Sequence, residues 1–549
     1  MKTAADLPSD TRASRRWGLI VFALFALPAL AAIWCVPDFI TQDGPLHLLN
    51  AHITLELLKQ PAAFNHLYVV RWYPLPYWAG HLLLTGLLSL VSERIADRTL
   101  LTLTSLGLAA VLVWLRWRVA GWQGMALVAP LALTLSLNML WLLGLYSFLL
   151  GASVMFITLG LWWAWRDRMS LKPALWLALL LVVGYLSHLV SLGLTVLALV
   201  VLALATPGAN RRRLGWTAAS LLPLAPLAVI YHRLMQAGGD VQAAWYGMDS
   251  WFSPLSWLNH ARGVDFLAIH ADYDCLPFSL TRTGWFAFVG PSQIVQAVII
   301  ILLIVTFFTM RRGEGRERRG WLILALLLFA VAFFGPDSFG EAHGSILRER
   351  LLLMAMAASI PAMNWRNRRP LVSACGVALM IAAALQVAFV WEYALYSNRV
   401  VKDFMQARPY VGTGQRVEAI QIDTNGPYRA NPLHNLASTL GIGTGNVVWN
   451  NYGPCLYYFP VRFTDTESSQ RAMDLSGAGI FRFKLYDESE HLLWYEKLLS
   501  ESRQQIDALI VVGAHSEVDR INAEWYGPEP VFESGAVRVF RRATDARLP

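Results

Sequence analysis

Long apolar runs separated by short polar breaks dominate the first 392 residues. They recur at 17–36, 98–115, 122–140, 145–165, 173–189, 190–206, 214–231, 291–310, 320–335, 351–363 and 370–392. Most approach the roughly 20 residues a helix needs to cross a bilayer. One further run, from Tyr77 to Val91, decides the topology. If it spans, the basic clusters Arg116/Arg118, Arg166/Arg168/Lys172, Arg211/Arg212/Arg213, Arg311/Arg312/Arg316/Arg318/Arg319 and Arg366/Arg368/Arg369 all move to the side opposite the N-terminus. If it lies along the outer interface, they share the side of Lys2, Arg12, Arg15 and Arg16, as the positive-inside tendency requires. The expected topology is therefore eleven spans behind a cytoplasmic tail at 1–16, with the N-terminus inside and the C-terminus outside.

The transmembrane domain is read as 17–392, with a first outer loop at 37–97 carrying two interfacial helices and a large outer loop at 232–290. Beyond it, 393–549 holds no run long enough to span, and short strand-like runs alternate with helical patterns. Strands are expected at Arg416–Ile422, Asn446–Trp449, Ala508–Val512 and Ala536–Phe540, with an amphipathic helix at Leu492–Arg503. The fold class is thus mainly α, a polytopic membrane protein with about 11 transmembrane helices, plus a C-terminal soluble α/β domain outside the cytoplasm. The run Gly441-Ile442-Gly443-Thr444-Gly445 lacks dinucleotide-fingerprint spacing and reads as a loop.

Composition agrees: of 549 residues 56% are hydrophobic and only 15% charged, which excludes an ordinary water-soluble globule. The net charge of +8 comes from clusters between apolar runs, so it signals topology and not nucleic acid. The first run, after Arg15-Arg16 and ending in Ala29-Leu30-Ala31-Ala32, has features of a cleavable leader, but its length favours a retained signal anchor. The cysteines Cys35, Cys275, Cys375 and Cys455 have no paired short spacing, which argues against a zinc site; a Cys275–Cys455 bridge is left open.

Candidate chemistry concentrates after the first run, in Gln42-Asp43-Gly44-Pro45-Leu46-His47. Asp43 is expected to cap a helix starting at Gly44 and Pro45. On that helix Leu46, Leu49, Ile53 and Leu57 form an apolar stripe, while His47, Asn50 and Thr54 form a polar one. An acid at the outer mouth of a membrane domain suits attack on a polar head whose apolar tail stays in lipid, as in glycosyl transfer from a polyprenyl phosphate. Asp43 would be the general base and His47 its neighbour for orientation or metal. Arg348 or Arg350 would hold the phosphate. His188 closes a span at a depth where ionisable groups are costly, and Glu341 and His343 lie in the outer segment before Arg348; these three are further candidates for metal or substrate orientation. Each also has a plain structural reading: a cap for Asp43, packing for His188, snorkelling anchors for the arginines, loop surface for Glu341 and His343.

These stretches resemble the GT-C superfamily of membrane glycosyltransferases, which includes protein O-mannosyltransferases, the aminoarabinose transferase of lipid A and oligosaccharyltransferase catalytic subunits. The resemblance covers roughly 15–395. It rests on the outer-loop acid, a span ending in Arg116-Trp117-Arg118, Gly144-Leu145-Tyr146-Ser147-Phe148-Leu149-Leu150-Gly151, Tyr185-Leu186-Ser187-His188 and Arg348-Glu349-Arg350. It implies inverting transfer from a polyprenyl-linked sugar to an acceptor outside the cytoplasm, usually with a divalent metal such as Mg or Mn, at a bacterial inner membrane. Two departures stand out: Gly44 follows Asp43 where some relatives carry an Asp-Glu pair, and Asn138 stands where some place a second acid. A transporter or lipid flippase, or a non-catalytic scaffold, is the alternative; the crowding of charge at one mouth favours the enzyme.

Overall fold

The structure is a computed structural model that describes residues 9–208, 211–236, 266–271, 290–313, 315–339, 346–364 and 369–542. In chain order its main helices are α1 (Ser9–Cys35), α2 (Gly44–Lys59), α3 (Trp78–Leu88), α4 (Glu93–Ala120), α5 (Met125–Ser136), α6 (Tyr146–Trp165), α7 (Leu171–Ser187), α8 (Leu189–Ala205), α9 (Arg211–Gln236), α10 (Pro291–Arg311), α11 (Arg319–Phe334), α12 (Leu347–Ala362), α13 (Arg369–Val400), α14 (Lys402–Val411), α15 (Thr466–Ala478), α16 (Ser489–Ser502) and α17 (Ser516–Tyr526). Strands are β1 (Tyr68–Val70), β2 (Arg416–Ile422), β3 (Val447–Val448), β4 (Val461–Phe463), β5 (Ile480–Phe481), β6 (Ala508–Val512), β7 (Phe532–Ser534) and β8 (Val537–Arg541).

A helix occupies each of the apolar segments read as a span. By length and composition, six among the described residues are long and apolar enough to cross a membrane. The run after Tyr77 forms α3, whose 11 residues rise about 16 Å, well short of a hydrocarbon core of about 30 Å.

The chain divides into two compact units, one of Met1–Cys35 with Thr99–Glu392 and the other of Val36–Arg98 with Tyr393–Pro549. The first is a helical bundle. Its helices approach closely where small residues meet bulky ones, as at Gly160, where a Cβ would stand 2.7 Å from Trp114 Cη2. Arg116 and Arg318 fix the end of α12: both donate to the Met363 carbonyl, at 2.8 and 2.9 Å, and Arg116 also to the Ile360 carbonyl at 3.2 Å. Cations at a helix C-terminus meet both the orphan carbonyls and the helix dipole.

The second unit joins two stretches far apart in sequence. Its sheet runs β3-β2-β6-β8-β7, with β5 also on β2. Strands β3, β5 and β6 are parallel to β2, whereas β8 is antiparallel to β6. Every residue of β6 and all but the first of β2 are buried, which explains why they read as near-continuous apolar runs. The stretch 36–98 enters this unit through an antiparallel pair, β1 with β4, in which Tyr68 faces Phe463 and Val70 faces Val461. Helix α2 packs here with both stripes covered: Leu46, Leu49, Ile53 and Leu57 are buried, and so are His47, Asn50 and Thr54.

Candidate functional site

In the second unit Asp43 starts a helix, as its sequence predicts, but its side chain does not cap it. Asp43 has φ −100° and ψ −2°, not the extended backbone of a capping residue, and Pro45 has no N–H to offer. The expectation of a side-chain cap is therefore corrected. Its carboxylate turns instead to Asn435, whose Nδ2 donates to Oδ1 at 2.9 Å. The preceding side chain does likewise, Gln42 Oε1 accepting from the Asn431 amide at 3.1 Å. Burial, followed by the nearby Asp43 charge, holds the Tyr452 phenol above its ordinary value.

The polar stripe of α2 continues this seam. Asn50 and Asn451 exchange side-chain bonds, Asn50 Nδ2 donating at 2.8 Å. His47 lies flat against Phe459, with ring centroids 6.0 Å apart, and edge-on to His81 at 5.8 Å. The loop bearing Phe459 is held by Arg71, whose Nη1 donates to the carbonyls of Leu456 and Phe459 at 2.7 and 3.0 Å. His81 is buried, with Nδ1 3.3 Å from the Tyr77 carbonyl and Nε2 without a hydrogen-bond partner. Burial pushes its pKa down to about 4, the Tyr77 carbonyl opposing, so it is neutral at physiological pH. Beside the start of α2 lies a cavity of about 180 Å³, walled by Ile40, Thr41, Pro45, Arg94, Asp97 and Arg408 among others.

In the first unit, His188 is the junction between α7 and α8, with extended backbone at φ −165° and ψ 130°. The Val190 amide donates to its Nδ1 at 3.2 Å, and Arg350 Nη1 lies 3.0 Å from its Nε2. Both side chains are buried, and the Arg350 guanidinium stands 5.3 Å over the Phe148 ring. Close approach depends on Gly151: a Cβ there would meet Ser191 Oγ at 2.8 Å and His188 Cβ at 3.2 Å. Arg348, two residues from Arg350, is ion-paired with Asp337. Glu341, His343 and Cys275 lie outside the described residues.

The structure thus unites His188 with Arg350 in one cluster and Asp43 with His47's neighbourhood in another. Sequence reasoning missed Asn435, Tyr452, Phe459 and His81, which sit in no periodic pattern that would have marked them. Among the described residues, no three His, Cys, Asp or Glu side chains form a group able to hold a metal ion.

No protein-family model matches the sequence, and no curated protein matches it. Solved structures that resemble the chain include two of one protein. ArnT from Cupriavidus metallidurans bound to undecaprenyl phosphate aligns with a TM-score of 0.50 and 12% identity, over 97% of this chain and 99% of that one. The same protein in the apo state gives 0.49 and 12%, over 94% and 97%. The alignment with the lipid-bound form takes in both the helical bundle and the C-terminal domain, and the chain accordingly shares the fold of ArnT along nearly its whole length.

Proposed function

We propose that the chain is a membrane glycosyltransferase that moves a sugar from a polyprenyl-phosphate-linked donor to an acceptor outside the cytoplasm. The observation that carries this reading is a fold shared along nearly the whole chain with a transferase whose structure holds undecaprenyl phosphate. In the proposed reaction the Asp43 carboxylate takes the proton of the acceptor hydroxyl as its oxygen attacks the anomeric carbon. The bond from that carbon to the phosphate oxygen breaks with inversion, and polyprenyl phosphate leaves. Arg348 or Arg350 holds the departing charge. Asn435 orients the base through its bond to Asp43 Oδ1. The proposed setting is a bacterial inner membrane, with the N-terminus cytoplasmic and the C-terminal domain periplasmic, among membrane lipids.

The test is transfer by the purified chain in lipid nanodiscs from a set of polyprenyl-phosphate sugars, compared with Asp43→Asn. The variant is expected to bind donor and lose transfer; equal turnover would remove Asp43 from the reaction. Movement of intact sugar lipid across the bilayer without transfer would favour the flippase reading.

A further inference from the structure

The cavity beside the start of α2 lies wholly within the second unit and carries chemistry that the proposed transfer does not use. Its charged lining comes from Asp38, Glu93, Arg94, Asp97, Arg98 and Arg408. Some of these charges are engaged. Arg98 donates to the carbonyls of Pro37 and Phe39, which bracket Asp38. Arg408 donates to the Thr439 carbonyl at 2.8 Å and lies 3.6 Å from Glu93. Others are open to a ligand. Among the described residues the side chains of Asp38 and Arg94 make no hydrogen bond or ion pair, and Asp97 pairs only with Arg98 beside it, at 3.5 Å. Arg94 and Asp97 stand three residues apart on α4, a spacing at which opposite charges can meet, yet they make no ion pair. Asp38 is fixed through its backbone: its amide donates to Asn398 Oδ1 at 3.0 Å, and its carbonyl accepts from Ser397 Oγ at 2.9 Å.

One guanidinium and two carboxylates lining a cavity of about 180 Å³ match a ligand that carries both signs of charge. A guanidinium suits a phosphate oxygen pair, and carboxylates accept the N–H groups of an ammonium. The rest of the wall, Ile40, Pro45, Leu48, Met405 and Ile442, is apolar. A free zwitterion has nothing to set against that wall, whereas the glycerol and first acyl carbons of a lipid do. The depth also fits. Asp38 follows the end of α1 at Cys35, and Arg94 and Asp97 belong to the first turns of α4. Both helices are long and apolar enough to cross a membrane, so these residues fall where the spans leave hydrocarbon for headgroups.

We propose that this cavity binds the headgroup of a zwitterionic aminophospholipid, with Arg94 on the phosphodiester and Asp38 and Asp97 on the primary ammonium. Binding there requires no sugar transfer.

The experiment titrates the delipidated full chain in detergent with phosphatidylethanolamine, phosphatidylcholine and phosphatidylglycerol of matched acyl chains, and with phosphoethanolamine, counting bound molecules by native mass spectrometry. Phosphatidylethanolamine is expected to bind about tenfold more tightly than phosphatidylcholine, whose trimethylated nitrogen has no N–H for the carboxylates. Phosphatidylglycerol, which lacks the cation, should also bind more weakly. The double variant Asp38→Asn/Asp97→Asn should erase the preference over phosphatidylcholine. Arg94→Ala should weaken both zwitterionic lipids by about tenfold, and Arg94→Lys, which keeps the charge, should recover part of that loss. Thermal unfolding identifies a variant with a folding defect, and the ranking of lipids on wild type tests the site without any substitution. Equal affinity of wild type for the three phospholipids would overturn the proposal. So would a preference that survives in the well-folded double variant, or phosphoethanolamine bound as tightly as the lipid, which would assign the cavity to a free zwitterion.

Discussion

Asn435 reaches Asp43 across 392 residues of sequence to donate a 2.9 Å hydrogen bond to its carboxylate. If Asp43 is the base, this bond holds the oxygen that receives the proton. Asn435→Leu is expected to lower transfer by about tenfold or more, through loss of one hydrogen bond to a charged group. Donor binding should stay near wild type. The check is a comparison of transfer rate and donor affinity; a change confined to affinity would assign Asn435 to the donor instead.

Gly151 offers a packing test. A methyl group there would press on Ser191 Oγ at 2.8 Å and His188 Cβ at 3.2 Å. Gly151→Ala is therefore expected to destabilise by about 1–3 kcal/mol, as overpacked cores do. Gly193 has open space around it, so Gly193→Ala is the matched control and should leave thermal unfolding unchanged.

Glu418 lies in β2, fully buried, with Asn450 donating to Oε1 at 2.9 Å and Oε2 without a partner. Burial, opposed by the Asn450 bond, holds its pKa well above 4.5. Its stabilising contribution is complete below the unfolded pKa. As pH rises above 4.5 the unfolded chain loses a proton that the folded chain keeps, so stability falls, by about 1.4 kcal/mol per pH unit at most. Glu418→Gln removes that slope, and its advantage in thermal unfolding should be larger at pH 8 than at pH 5.

His81 acts on the acid side. Its folded pKa of about 4 lies below the ordinary 6.5, so its contribution is complete above 6.5 and is lost as pH falls toward 4. His81→Phe should resist acid unfolding between these values better than wild type, relative to their stabilities at pH 7.5. Parallel loss by both proteins would show that His81 does not carry the titration.

The parts legible in the sequence were those written in periodicity. Arg416–Ile422 and Ala508–Val512 were expected as strands and occur at those bounds because each is a buried apolar run. The start of α2 at Gly44 was legible from Gly-Pro after an acid. The role of its polar stripe was not, because Asn50 meets Asn451 and His47 meets Phe459 through contacts that leave no local pattern. The two-residue β5 and three-residue β4 are too short to carry an alternation. His188 and Arg350 were each singled out, yet only the fold reveals that they meet, 3.0 Å apart.

The β1–β4 pair and the Asn50–Asn451 bond have a consequence for how the chain is made. The latter closes a loop of 401 residues, and such closure comes late because its entropy must be met before its contacts form. Helix α2 leaves the ribosome hundreds of residues before the segments that cover His47 and Asn50 exist. During synthesis those side chains must wait, exposed or chaperoned, until the segment bearing β4 has been made. A release of the chain before Asn451 would leave α2 without its cover, and quality-control proteases would read that exposed helix as an unfinished protein.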